Sequence, residues 1–248
     1  MIPTGPLNAM PQSQKMKTLG LLGGTSWHST QEYYRIINQR TNDYFGNNTN
    51  PPLLLFNMNQ ALVHRYQNED DWQAIADMFA GASERLVKAG AEAVMFCANT
   101  PHRVFSEVQQ QTSVPILHIA DATAREISKQ GIDAVGFLGT KFSMSQTFIS
   151  DRIAQQNIRV LVPEDDSEQE ELHRIIQKEL TFGNVDSNSK KYVLESIDKM
   201  VSSGAKGIVL GCTEFPLMIT ASDLEIPIFN TTEIHALAAF EFVLNCEI

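Results

Sequence analysis

Short apolar runs rich in β-branched residues recur along the chain at about 17–23, 52–58, 92–97, 114–119, 133–139, 158–162, 206–212 and 226–230. The stretches between them carry apolar residues at helical spacing. Continuously apolar runs separated by helices are the mark of strands covered on both faces, so the pattern predicts a parallel α/β architecture. The firmest helix is the stripe Trp72, Ile75, Met78, Phe79, Ala82, Leu86 and Val87, ended by Gly90. A second is predicted to open on Ser167-Glu168-Gln169-Glu170, which has the form of a capping box. A third is predicted from about Asp186 to Ser203, with Gly204 as its stop.

The pattern also repeats. Gly20-Leu21-Leu22-Gly23-Gly24-Thr25 is echoed by Gly136-Phe137-Leu138-Gly139-Thr140. Gly90-Ala91 with the run to Cys97 is echoed by Gly204-Ala205 with the run to Cys212, and Val114-Pro115-Ile116-Leu117 by Ile226-Pro227-Ile228-Phe229. Three echoes in the same order, displaced by 112 to 116 residues, point to two similar α/β lobes of about 110 residues each. Taken alone, the repeat divides the chain once, near Gly131.

Composition narrows what such lobes do. Of 248 residues 43% are hydrophobic, enough to fill two cores, yet no run approaches the ~18 apolar residues of a membrane span. Net charge is −10, with the acidic residues scattered, so a grip on nucleic acid through a basic face is not expected. Residues 1–15, with Pro3, Gly5, Pro6 and Pro11, show neither a signal-peptide nor a transit-peptide pattern and are predicted to be a disordered lead-in. Met1, Met10 and Met16 all remain possible starts. A cytoplasmic location with free thiols is the expectation.

The three cysteines are too few for a disulfide framework. No Cys-x-x-Cys is present, and the six histidines form no pair at ligand spacing, so neither a redox pair nor a metal is predicted. Cys246 has no counterpart in the repeat and reads as a packing residue. Cys97 and Cys212 differ. Each ends a predicted strand and precedes a polar turn, Cys97-Ala98-Asn99-Thr100-Pro101 and Cys212-Thr213-Glu214-Phe215-Pro216, at the edge where α/β sheets hold ligands. A following helix N-terminus is expected to lower the thiol pKa, and the turn's N–H, amide and hydroxyl groups suit a carboxylate. A matched thiolate and thiol on opposite sides of a carbon centre can remove a proton from one face and deliver one to the other. The plain alternative is that a free cysteine is a small buried hydrophobe.

At this point the residues carry a resemblance. Gly20 to Trp27 with His28-Ser29-Thr30, then Cys97-Ala98-Asn99-Thr100-Pro101-His102, His118-Ile119-Ala120-Asp121-Ala122-Thr123 and Gly211-Cys212-Thr213-Glu214 resemble the cofactor-independent aspartate/glutamate racemase family. Within it, the chain is most similar to bacterial aspartate racemases and broad-specificity amino acid racemases, over Met16 to Ile248. The resemblance implies two pseudosymmetric parallel-sheet α/β lobes with the active site in the cleft between them, a homodimer, an amino acid substrate and no cofactor. It implies an exchanged strand and helix, so that residues 16–113 plus 223–248 form the first lobe and 114–222 the second. Cys97 and Cys212 are then the acid/base thiols. Thr25, Ser26, Gln67, Asn99, Thr100, Pro101, Thr213 and Glu214 are the substrate-binding candidates, Gln67 in the loop between Phe56 and Trp72.

The chain also departs from that pattern. Strict aspartate racemases carry a Lys just before a Gly-Asn turn, but here the stretch is Thr181-Phe182-Gly183-Asn184, with Lys178 three residues too early. His64 or Arg65 is the nearest match to a second cation. A dicarboxylate without a cation in a dry site is poorly compensated, so a neutral or broader range of amino acids is expected. Two other functions fit the same residues: a relative that isomerises maleate-like diacids, racemises hydantoins or decarboxylates malonates, and a non-catalytic amino-acid-binding protein.

Overall fold

Each of the eight apolar runs forms a strand. The structure, a computed structural model, describes residues 15–244; the lead-in up to residue 14 and Cys246 lie outside the described residues. In chain order the first half holds β1 (Leu19–Gly23), α1 (Trp27–Phe45), β2 (Leu53–Asn57), α2 (Gln60–Asn68), α3 (Trp72–Lys88), β3 (Ala93–Phe96), α4 (Phe105–Gln111) and β4 (Ile116–Leu117). The second half holds α5 (Ile119–Lys129), β5 (Ala134–Gly139), α6 (Lys141–Ser145), α7 (Ser150–Ala154), β6 (Arg159–Leu161), α8 (Asp166–Lys178), α9 (Ser187–Ser202), β7 (Ile208–Gly211), β8 (Ile228–Asn230) and α10 (Thr231–Val243). Two four-stranded sheets result, β2-β1-β3-β4 and β6-β5-β7-β8, and every pairing is parallel.

The chain divides into two units. Among the described residues, one comprises the chain up to Cys97, Val104–His118 and the stretch from His235; the other comprises Ala98–Arg103 and Ile119–Ile234. These boundaries differ from both sequence expectations, the single cut near Gly131 and the exchange at 113/114 and 222/223. The reason lies in the edge strands. β4 stays with the first sheet through the Val94–Ile116 and Met95–Leu117 pairs, and β8 stays with the second through Ile208–Ile228. What joins the other unit is α5, most of α10 and the short turn Ala98–Arg103.

In the first unit, Leu19 and Leu21 of β1, Tyr33 and Ile37 of α1, and Met95 of β3 form one core with Ala236, Ala239 and Val243 of α10. In the second, Phe137, Leu138 and Val209 pack with Leu172 of α8, Ile197 of α9 and Phe229 of β8. β1 and β5 are buried along their whole length, as continuous apolar runs require. β2 is not. It lies at a sheet edge, and Leu55 is 49% exposed, so one of the runs expected to be fully covered is only partly so.

The predicted helix starts hold with one correction. α9 is capped by Asp186, whose carboxylate accepts from the Asn188 and Ser189 N–H groups. α8 begins before the expected capping box, because the Asp165 carboxylate takes the Ser167 N–H at 2.7 Å. Ser167 lies inside the first turn. α3 ends as predicted, with Gly90 at φ 103°.

Candidate active site

The two sheets share a register, which gives a sharper test of the repeat than sequence does. Gly20 lies opposite Val94 in one sheet and Gly136 opposite Ile208 in the other, and Val94 and Ile208 lie opposite Ile116 and Ile228. By that register Phe96 corresponds to Leu210 and Cys97 to Gly211. Cys212 therefore falls one residue past the strict counterpart of Cys97. Cys97 still donates its N–H to Leu22 O at 2.9 Å, whereas Cys212 comes after the last paired residue of β7.

In the first unit, the turn from β1 into α1 closes around Cys97. Ser26 is the N-cap of α1 and its hydroxyl accepts from the Ser29 N–H. Ser29 in turn donates its hydroxyl proton to Cys97 O at 2.6 Å, so the first loop is tied to the thiol-bearing residue. The Ser26 hydroxyl is engaged as a cap. Thr25 is buried beside it. Gln67 lies in the last turn of α2, half-buried, and not in a loop as the sequence suggested. A cavity of about 630 Å³ runs along the outer side of α1, lined by His28, Glu32, Tyr34, Asn38, Asn42 and Asn48, and contains neither thiol.

The double glycine of this loop has a steric cause. Gly24 adopts φ 87°, and a Cβ there would stand 2.2 Å from Met58 O, because Met58 N–H donates to Gly23 O. Gly90 also has a left-handed φ, with nothing within 4 Å of a Cβ. Gly90→Ala is expected to cost about 1–2 kcal/mol of unfolding free energy in urea, from backbone strain alone. Gly24→Ala is expected to cost clearly more, since the backbone of Met58 must also move. Equal losses in the two variants would show that the loop relaxes freely.

In the second unit, Cys212 Sγ donates to Glu214 Oε2 at 2.7 Å, and the Thr213 hydroxyl donates to the same oxygen at 2.8 Å. The Thr100 hydroxyl lies 3.5 Å from that of Thr140. Pro101 is the second residue of the 3-10 turn Thr100–Val104. The side-chain NH₂ of Asn99 donates to the Thr231 hydroxyl at 3.0 Å, and its Oδ1 is buried without a hydrogen-bond partner.

Thr140 and Ser143 lie outside the site residues that the sequence motifs single out. Thr140 comes directly after Gly139, which pairs with Gly211, so it stands beside Cys212 at the carboxyl end of the sheet. It caps α6, accepting the Ser143 N–H, and its hydroxyl is 3.1 Å from Ser143 Oγ. The signal was present: the echo Gly136 to Thr140 aligns this threonine with the Gly24-Thr25 turn.

The expectation of lowered thiol pKa values is overturned. Burial pushes Cys97 far above the ordinary thiol value. Cys212 is raised too, first by burial and then by the charge and hydrogen bond of Glu214, against the backbone N–H groups of Glu214 and Thr213, which favour its thiolate. The cause is desolvation: both sulfurs are buried, which penalises the thiolate, and at Cys212 the Glu214 carboxylate adds to it.

The 181–184 stretch supplies no cation. Phe182 is 71% exposed at the end of a 3-10 turn, and Lys178 is the last residue of α8. On α2, Arg65 lies over the Tyr66 ring and 4.0 Å from Glu69. Among the described residues no group of three or more His, Cys, Asp or Glu is placed to hold a metal ion, and no helix is long and apolar enough to cross a membrane.

Comparison with known proteins adds an independent line. Residues 22–239 match the family model described as Asp/Glu/Hydantoin racemase. A Yersinia pestis structure, proposed to be an Asp/Glu racemase, is 40% identical, covers 92% of this chain and 100% of its own, and superposes with a TM-score of 0.88. PH1733, an aspartate racemase homologue from Pyrococcus horikoshii OT3, is 38% identical over 92% of this chain and 99% of its own, with a TM-score of 0.81. The broad specificity amino-acid racemase RacX of Bacillus subtilis is 26% identical over 148 residues, 60% of this chain and 63% of RacX.

Proposed function

Because the chain belongs to the Asp/Glu/hydantoin racemase family, we propose that it is an amino acid racemase in which Cys97 and Cys212 carry out the two proton transfers. Family membership supports the racemase itself. The observation that carries the two-thiol scheme is that each parallel sheet ends, on the strand beside its first, in a buried thiol followed by a polar turn.

In the proposed step one sulfur, as thiolate, takes the proton from Cα and becomes a thiol. The electron pair left behind is delocalised into the α-carboxylate, and the second thiol then gives its proton to the opposite face of Cα and becomes the thiolate. The two sulfurs exchange roles in the reverse direction, and the proposal includes no cofactor. The hydroxyls of Thr100 and Thr213 and the turn N–H groups hold the α-carboxylate, with Thr25 and Gln67 as further contacts and Pro101 shaping the turn. Asn99 acts by holding its turn. Glu214, bonded to Cys212, is the group that takes up and returns that thiol's proton.

A substrate with a neutral side chain, or a broad range, follows from the missing cation at 181–184. A homodimer and a cytoplasmic setting are parts of the same proposal. Incubation with a panel of L-amino acids in deuterated water is expected to give D-product with deuterium at the α-carbon, read by NMR and chiral chromatography. If no amino acid exchanges its α-proton, the racemase reading fails and a binding protein, seen by thermal shifts alone, replaces it.

A further inference from the structure

Thr231, the first residue of α10, belongs to none of the catalytic motifs, yet its hydroxyl is buried between two of the segments that matter most. It donates to Leu210 O at 2.9 Å and accepts from Asn99 Nδ2 at 3.0 Å. A carbonyl can only accept, so the hydroxyl proton goes to Leu210, and Asn99 must turn its NH₂ toward Thr231. That fixes both rotors. Asn99 lies two residues after Cys97 and Leu210 two residues before Cys212. One hydroxyl thus fastens the turn after the first thiol to the strand that leads into the second.

The surroundings hold this fastening still. Asn230 Oδ1 accepts from the N–H groups of Thr232 and Glu233 and so fixes the start of α10. On the other side of the turn, His102 Nε2 accepts the Ile119 N–H at 3.2 Å. Nδ1 therefore carries the ring proton and donates to Ala98 O at 3.0 Å and Asn99 O at 3.2 Å. The turn is gripped through its carbonyls by His102 and through its side chain by Thr231.

We propose that Thr231 is a positioning residue for the two-thiol reaction: through Asn99 and Leu210 it ties the turn that follows Cys97 to the strand that precedes Cys212. This rests on the racemase reading above. Inversion needs both sulfurs correctly placed, one for each face of Cα, whereas removing and returning a proton on one face needs only one. Loosening the fastening therefore penalises inversion more than exchange with retention, a signature that a loss of stability alone does not produce.

The test uses the full chain in deuterated water, with α-proton exchange and inversion measured together on an amino acid that the wild type racemises. Thr231→Val keeps the shape and removes the hydroxyl; Thr231→Ser keeps the hydroxyl. In T231V inversion is expected to fall about 10²-fold, as for a misplacement of about 1 Å, while exchange with retention falls much less. The exchange-to-inversion ratio then rises roughly tenfold or more, and T231S restores the wild-type ratio. A wild-type ratio in T231V, equal loss of both processes, or a raised ratio in T231S overturns the proposal. If T231V does not fold, Thr231→Ala reports the same ratio. A wild type that exchanges no amino acid overturns the racemase reading instead.

Discussion

Replacing either Cys97 or Cys212 with alanine is expected to abolish racemisation, by at least about 10³-fold in kcat, while each variant still exchanges the α-proton of one enantiomer. Inversion needs a base on one face and an acid on the other. With Cys97 gone, Cys212 can still take and return the proton of the enantiomer that presents its hydrogen to it, and Cys97 can do the same for the other enantiomer when Cys212 is gone. The two variants are thus expected to exchange opposite enantiomers, with retention. Folding is expected to survive, since each change only truncates a buried CH₂SH to CH₃. Proton NMR of separate L- and D-substrates in deuterated water decides the matter. Racemisation at a wild-type rate in either variant, or exchange of the same enantiomer by both, sinks the two-base scheme.

Glu214→Gln is expected to lower kcat by about 10²–10⁴-fold with little change in KM, and to change the pH profile. Burial raises the pKa of both thiols and so disfavours their thiolates. In the wild type the Cys212 proton can pass to the carboxylate that already accepts its hydrogen bond, so the site's net charge is unchanged. In the variant the proton must leave for solvent. A group whose pKa is raised is ionised only in the fraction that grows tenfold per pH unit below that pKa, so the variant's rate should rise with pH more steeply than the wild type's. Removing the carboxylate also withdraws its charge and hydrogen bond from Cys212, which brings the rising limb to lower pH than burial and Glu214 together would set. A variant with the wild-type kcat and profile would leave Glu214 as a spectator.

Much of the fold is legible in the sequence because parallel strands, covered on both faces, write themselves as continuous apolar runs. The exceptions are instructive. The run at 52–58 reads like the others, but sequence does not say which strand is at an edge, and Leu55 is left half open. The boundaries were displaced because β4 and β8 are two and three residues long. Their membership is decided by pairing with β3 and β7, which local pattern does not encode. At the site, spacing marks the two thiols and Thr213 as candidates, and the structure puts each cysteine just past the end of a central strand. The direction of the thiol pKa shifts is not legible, since sequence does not say how deeply a sulfur after a strand is buried. Thr231 and His102 act through buried hydrogen bonds to distant backbone, and only the folded chain brings those partners together.

α10 also bears on how the chain reaches this fold. Its first turn belongs to the second unit and the remainder packs in the core of the first, where Ala236, Ala239 and Val243 meet Leu19 and Tyr33. On a ribosome, the opening β-strands are made long before those residues exist. The first core therefore stays uncovered until nearly the whole described chain has emerged, and its final contacts join residues more than two hundred positions apart. Folding of this chain is then a late, long-range event. The unit built on β1 is the one that must wait for α10.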